Sequence, residues 1–219
     1  MCFSFESSYN NWLVSLIVAA VLILSDRVDD SINKTNIWTS LFTLTFAQVQ
    51  IIEALIWNEL RSECADATRL NQLTSYLPVL LMAQPLVQSI GAYYLTYDVN
   101  LIPLILFNLS MLLHQSYTSK RDRFDSIIGP NGHLIWRRFN SNGESQSIFG
   151  NTIFAYLYVL TLLLPIFWIE NTTMRVSLLI YGVASLMYSL YSVPEFGSYW
   201  CYMALGYGIT GLLTSYIIY

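Results

Sequence analysis

Gln50-Ile-Ile-Glu-Ala-Leu-Ile-Trp57 sits inside an apolar run that extends over about residues 36–58. Glu53 is the acidic residue placed within a membrane-length segment rather than at its end or in a loop. Gln50, Glu53 and Trp57 fall at i, i+3 and i+7, so a helix stacks them along one stripe. A carboxylate in hydrocarbon costs several kcal/mol, so it is expected to face the protein interior and to mark a site. The competing reading is a hydrogen-bonded Glu that only joins helices together.

Composition places this stretch in a membrane. Of 219 residues, 55% are hydrophobic and 11% charged, the latter about half the share of a soluble domain. The charges cluster between the apolar runs rather than alternating through them. The formal net charge of −4 excludes nucleic acid as a partner, because phosphate binding needs a basic face. Residues 12–24 have the size of a signal-peptide core, but they lack a basic flank and a small-residue cleavage site. They are expected to form a first membrane helix.

Seven segments are long enough to span a bilayer, at about residues 7–25, 36–58, 73–95, 101–117, 148–168, 174–193 and 198–219. The expected fold is an all-α membrane protein, a single domain over 1–219 built as a bundle of seven transmembrane helices. With seven spans, Arg61, Arg69, Lys120, Arg121, Arg123, Arg137 and Arg138 share one side, and Arg27, Lys34 and Arg175 lie on the other. The positive-inside rule then predicts a cytoplasmic N-terminus and an extracytoplasmic C-terminus. Asn33-Lys-Thr and Asn171-Thr-Thr are glycosylation sequons, both on the predicted outside. The cytoplasmic loop 118–147 contains two β-favouring runs around Gly129-Pro-Asn-Gly132, which predict a hairpin over the mouth of the bundle.

Threading the helices in this orientation brings Cys2, Glu53, Trp57, His114, Trp200 and Cys201 to one depth near the cytoplasmic face. Gln84, Gln88 and Gly91 form a second stripe at i, i+4 and i+7 beside Pro85. Three readings fit the cluster. Cys2, His114 and Cys201, with Glu53, are candidate ligands for zinc or copper. Cys2 also becomes an N-terminal thiol nucleophile if Met1 is removed. A Cys2–Cys201 disulfide is the third, opposed by a reducing cytoplasm. Gly206-Tyr-Gly-Ile-Thr-Gly211 matches a dinucleotide fingerprint, but it follows no strand, and helix packing is the expected role. No intramembrane lysine is expected for retinal, and no nucleotide motif is present.

Three places in this order, Met1-Cys2-Phe3-Ser4, Gln50-x-x-Glu53-x-x-x-Trp57 and Ser198-x-Trp200-Cys201, resemble a family of small polytopic membrane proteins. Its bacterial members, and similar proteins of large DNA viruses and algae, begin Met-Cys-Phe-Ser. Gln84-Pro85 and Gly132-His133-Leu134-x-Trp136 are similar to the viral and algal branch. The resemblance runs nearly end to end and implies that these positions form a shared site; it carries no assigned activity.

The leading functional expectation is a channel or transporter for an ion or small polar solute. Glu53 is its charge-bearing group, and Gln50, Trp57, Gln84, Gln88 and Trp200 line the path. A membrane-embedded enzyme or metal-binding protein with a Cys/His/Glu site is the alternative, and a structural or partner-binding protein the third. The expected partners are the lipid bilayer and the solute, and an oligomer is compatible with the sequence.

Overall fold

The computed structural model describes residues 4–25, 30–140, 142–148, 152–190 and 195–217. Among them are seven α-helices: α1 (Phe5–Leu24), α2 (Asp30–Arg61), α3 (Ala67–Thr96), α4 (Ile102–Thr118), α5 (Thr152–Leu163), α6 (Thr172–Leu190) and α7 (Phe196–Ile217). Three strands, β1 (Arg123–Ile128), β2 (Leu134–Phe139) and β3 (Ser145–Ser147), lie between α4 and α5. Four helical segments, Phe5–Leu24, Asp30–Arg61, Ala67–Thr96 and Val99–Thr118, are long and apolar enough to cross a membrane.

The helix boundaries correct the sequence-based ones. Helix α2 starts at Asp30 rather than near Asn36, because the polar flank continues the helix. Lys34 pairs with Asp30 one turn back at 2.7 Å, and Arg61 complements the C-terminal end of the helix dipole. Lys34 and the Asn33 sequon therefore belong to a helix rather than a loop, with Thr35 buried. Because α2 runs on to Arg61, Glu53 sits eight residues, about 12 Å, before its end, further from the helix terminus than a segment ending at Asn58 implies. Helix α5 is shorter than expected. Its last stretch, Leu164–Trp168, is a 3₁₀ turn that begins around Pro165, where the missing N–H and fixed φ break the α-helical ladder.

Helix α2 is central and packs against α1, α3 and α7. Helix α3 adds α4 and α5, and α6 packs on α7 and on the 3₁₀ turn after α5. The core thus lies within a ring of α2, α3, α5, α6 and α7, with α1 and α4 outside it. The glycines of α7 explain how closely α7 approaches its neighbours. A Cβ on Gly208 would stand 2.6 Å from Thr43 Oγ1, and one on Gly211 2.7 Å from Thr39 Cγ2. The G-x-G-x-x-G run is a packing surface, as its position inside an apolar run predicts.

Polarity is inverted relative to a water-soluble bundle. Ile17, Leu24, Ile180, Leu213 and Ile217 face outward, whereas Gln50, Glu53, Gln84, Gln88 and Asn108 are almost fully buried. An apolar exterior around a polar interior suits a hydrocarbon surround.

The expected hairpin is present: β1 and β2 pair antiparallel, with Ser126 opposite Trp136 and Ile128 opposite Leu134. Gly132, at φ 78°, takes the left-handed position that its tight turn requires. The third strand, β3, was not foreseen, because Ser145-Gln-Ser147 lacks the β-branched pattern that announces a strand. The sheet is anchored on α3, where the Phe124 N–H donates to Asn71 Oδ1 at 2.5 Å and the Thr74 and Ser126 hydroxyls meet at 2.8 Å. Its turn reaches the start of α7, where the Asn131 N–H donates to Glu195 at 2.9 Å and the His133 ring lies 3.6 Å from that of Tyr199. At the opposite end, Trp168 donates to Asp98 at 2.7 Å, tying the α5–α6 connection to the α3–α4 connection.

Candidate functional site

The site grows from the α2 stripe. Helical spacing turns Gln50 and Glu53 to the same side, and the Gln50 amide donates to Glu53 Oε2 at 2.8 Å. The Glu53 side chain is completely buried, and Gln50 is 1% exposed. The Ser198 hydroxyl, from the first turn of α7, lies beside the same carboxyl. Cys201, one helical turn further on, is buried on the same face of α7 and lies beside the Gln84 amide.

Helices α3 and α5 close the cluster. The Tyr158 hydroxyl donates to Gln84 Oε1 and accepts the Trp200 indole N–H at 3.2 Å. Phe196 stacks on Trp200 with centroids 6.1 Å apart, and Phe46 meets it edge-on at 6.4 Å. Polar groups from α2, α3, α5 and α7 are thereby held in an aromatic, dry surround, where hydrogen bonds are strong and unpaired groups costly.

The second stripe forms the next layer. Gln88 donates to the Tyr207 hydroxyl at 3.5 Å, and its backbone carbonyl accepts the Trp38 indole N–H at 2.9 Å. Gly91 lies directly beneath the Trp38 ring, where a Cβ would collide with it. The glutamines therefore bond tyrosines. It is Asn108 of α4, together with Ser89, that takes the Pro85 carbonyl, at 3.1 Å and 2.7 Å.

The ion pairs of the described residues are Lys34–Asp30, Arg61–Glu6, Arg69–Glu59, Arg137–Asp125 and Arg138–Asp122. All sit at helix ends or in the hairpin, and none reaches Glu53. Its partners are neutral.

Of the residues singled out from sequence, Gln50, Glu53, Gln84, Trp200 and Cys201 come together, and Gln88 forms the adjoining layer. Trp57 is buried on the same stripe, but its indole N–H has no partner among the described residues and its ring faces the Arg61 guanidinium at 5.4 Å. His114 stands apart. It is exposed and lines an outer cleft of about 320 Å³ with Gln115 and Arg138, because α4 packs chiefly on α3 and turns most of its surface outward. Cys2 lies outside the described residues. Among the described residues, no three His, Cys, Asp or Glu side chains gather as a metal site. Tyr158 and Tyr207 were not singled out, because a tyrosine in an apolar run looks the same whether it faces lipid or core. Comparison with family models, curated proteins and solved structures finds no match.

Proposed function

We propose that the chain crosses a membrane seven times, with its N-terminus and hairpin in the cytoplasm, and works as a carrier for an ion or small polar solute. Glu53 is the charge-bearing or proton-coupled group, and Gln50, Ser198, Cys201, Gln84, Tyr158 and Trp200 form the occluded site around it. Membership of the family that begins Met-Cys-Phe-Ser is part of the same proposal. The unequal distribution of basic residues between the two ends of the bundle supports the orientation.

One observation carries the functional reading: the Glu53 carboxyl is fully enclosed, yet among the described residues its partners are neutral and none is a cation. A purely structural acid in a dry interior is ordinarily paired or replaced, since its desolvation is expensive. An acid kept there beside an amide and hydroxyl groups is suited to take up and release a proton or cation. The burial of Gln84 and Gln88 above it favours an occluded carrier over a continuously open channel.

The test is flux in proteoliposomes that contain a pH-sensitive dye, with imposed proton and potassium gradients, for wild type and Glu53→Gln. Flux in the wild type that falls by about tenfold or more in the variant, at equal thermal stability, is the expected result. Equal flux in wild type and variant, or none in either, would overturn the reading.

A further inference from the structure

Among the described residues, buried layers flank the Glu53 cluster on both sides along the bundle. On the hairpin side, Glu195 and His133 are completely buried, and on the other side Gln88, Tyr207 and Trp38 form a packed layer. Free volume approaches the cluster from the side. Between α5 and α6 lies an apolar groove of about 520 Å³, lined by Leu160, Leu163 and Phe167 on one wall and Leu179 and Val183 on the other. That is within the range of pockets that hold small organic ligands. It exists because α5 ends early at the Pro165 turn, so that α6 leans on that turn and on α7.

Leu163 also lines a second, inner crevice with Phe46, Leu162, Gly182, Trp200 and Tyr207. This crevice has room for about one water, roughly 10 Å³. Gly182 is what lets Leu163 lie there, since a Cβ at Gly182 would stand 3.0 Å from Leu163 Cδ2. The inner wall ends on Trp200, whose indole N–H is bonded to Tyr158. Leu163 thus separates the lipid-facing groove from the inner crevice, and the Trp200 ring separates that crevice from the polar cluster.

We propose that the α5–α6 groove is a lateral portal gated by Leu163, and that the ligand of the Glu53 cluster is a lipophile entering from the bilayer. Its apolar tail occupies the groove. Its small hydrogen-bond-donating head, an amine or hydroxyl, passes Leu163 and then the Trp200 ring to reach Tyr158, Gln84 and Glu53. The lining is matched to this occupant, because the groove offers an alkyl chain only aliphatic and aromatic contacts, whereas the cluster offers acceptor oxygens. The inference rests on the occluded Glu53 site of the proposed function and replaces its small polar solute with a lipophile that carries the polar group as its head.

Cys201 reports on the route directly. With Cys2→Ser and Cys64→Ser, it is the remaining thiol, and its modification is followed by mass spectrometry in proteoliposomes. A dodecyl maleimide is expected to modify it at least about tenfold faster than a charged, impermeant maleimide, beyond the rate ratio of the two reagents in denatured protein. Leu163→Ala should speed the lipophilic reaction several-fold, and Leu163→Trp should slow it. Dodecylamine or dodecanol should protect the thiol, whereas ammonium chloride should not. Equal access by the charged reagent, no effect of Leu163→Ala, or no protection by either lipophile would each overturn the portal. Failure of the Glu53 reading is a separate outcome, because it removes the flux difference between wild type and Glu53→Gln without changing how Cys201 is reached.

Discussion

Trp200 of α7 donates its indole N–H to the Tyr158 hydroxyl of α5 at 3.2 Å, and Tyr158 passes the chain on to Gln84 of α3. This relay links three helices that are far apart in sequence. It also fixes Trp200 between the polar cluster and the crevice behind Leu163.

Tyr158→Phe removes the hydroxyl and leaves the Trp200 N–H and the Gln84 carbonyl buried without it. Each orphaned group costs about 1–3 kcal/mol. A clearly lower melting temperature in detergent is expected, and Tyr158→Phe/Gln84→Leu should recover part of the loss by removing one of the orphans. A melting temperature equal to wild type would show that the hydroxyl is not bonded as described.

The glycine contacts predict a graded series. Gly208→Ala places a methyl 2.6 Å from the Thr43 hydroxyl across the α2–α7 contact and should destabilise by about 1–3 kcal/mol. Gly182→Ala meets Leu163 at 3.0 Å, and a flexible leucine end can yield, so the loss should be smaller. Unfolding in mixed detergent micelles measures both, and the reverse order would contradict the helix spacing.

The hairpin should loosen in acid. Burial against Tyr199 pushes the His133 imidazole down from its ordinary 6.5 to about 4. The fold therefore accommodates the neutral ring. Its contribution is complete above about pH 6.5 and is lost as pH falls toward 4, with a cost on the order of 2–3 kcal/mol. Protection factors at the amides of residues 129–136, corrected for the intrinsic pH dependence of exchange, should fall over that window, and His133→Phe should remove the fall. Protection factors that stay constant in the wild type between pH 6.5 and 4 would refute it.

Orientation is open to a direct measurement. Cys64, exposed in the α2–α3 connection, shares the hairpin end of the bundle. In a Cys2→Ser background, an impermeant maleimide should label it in inside-out vesicles and spare it in intact cells. Labelling in intact cells would reverse the proposed topology.

The apolar runs alone indicated seven helical segments, and each proves to contain a helix, because segment length and hydropathy are local properties of the chain. The same holds for the hairpin, announced by Gly-Pro-Asn-Gly between β-favouring runs, and for the Gln50–Glu53 pair, set by helical spacing. Boundaries were less legible, since the Asp30–Lys34 pair and Pro165 act over a single turn that a hydropathy window averages away.

Which helices touch was decided only by tertiary packing. Depth along each helix put His114 at the level of Glu53, but α4 packs on α3 and leaves that histidine on the outer surface. Tyr158, with no distinguishing neighbours in sequence, becomes the centre of the hydrogen-bond relay because α5 joins the ring around the core. The sequence by itself determined that a carboxyl lies within a membrane-length helix, since that follows from composition and periodicity. Only the tertiary structure decided that it is enclosed, with neutral partners from α2 and α7 in a cluster that α3 and α5 complete, because helix order and rotation are set by long-range contacts such as Gly208 on Thr43.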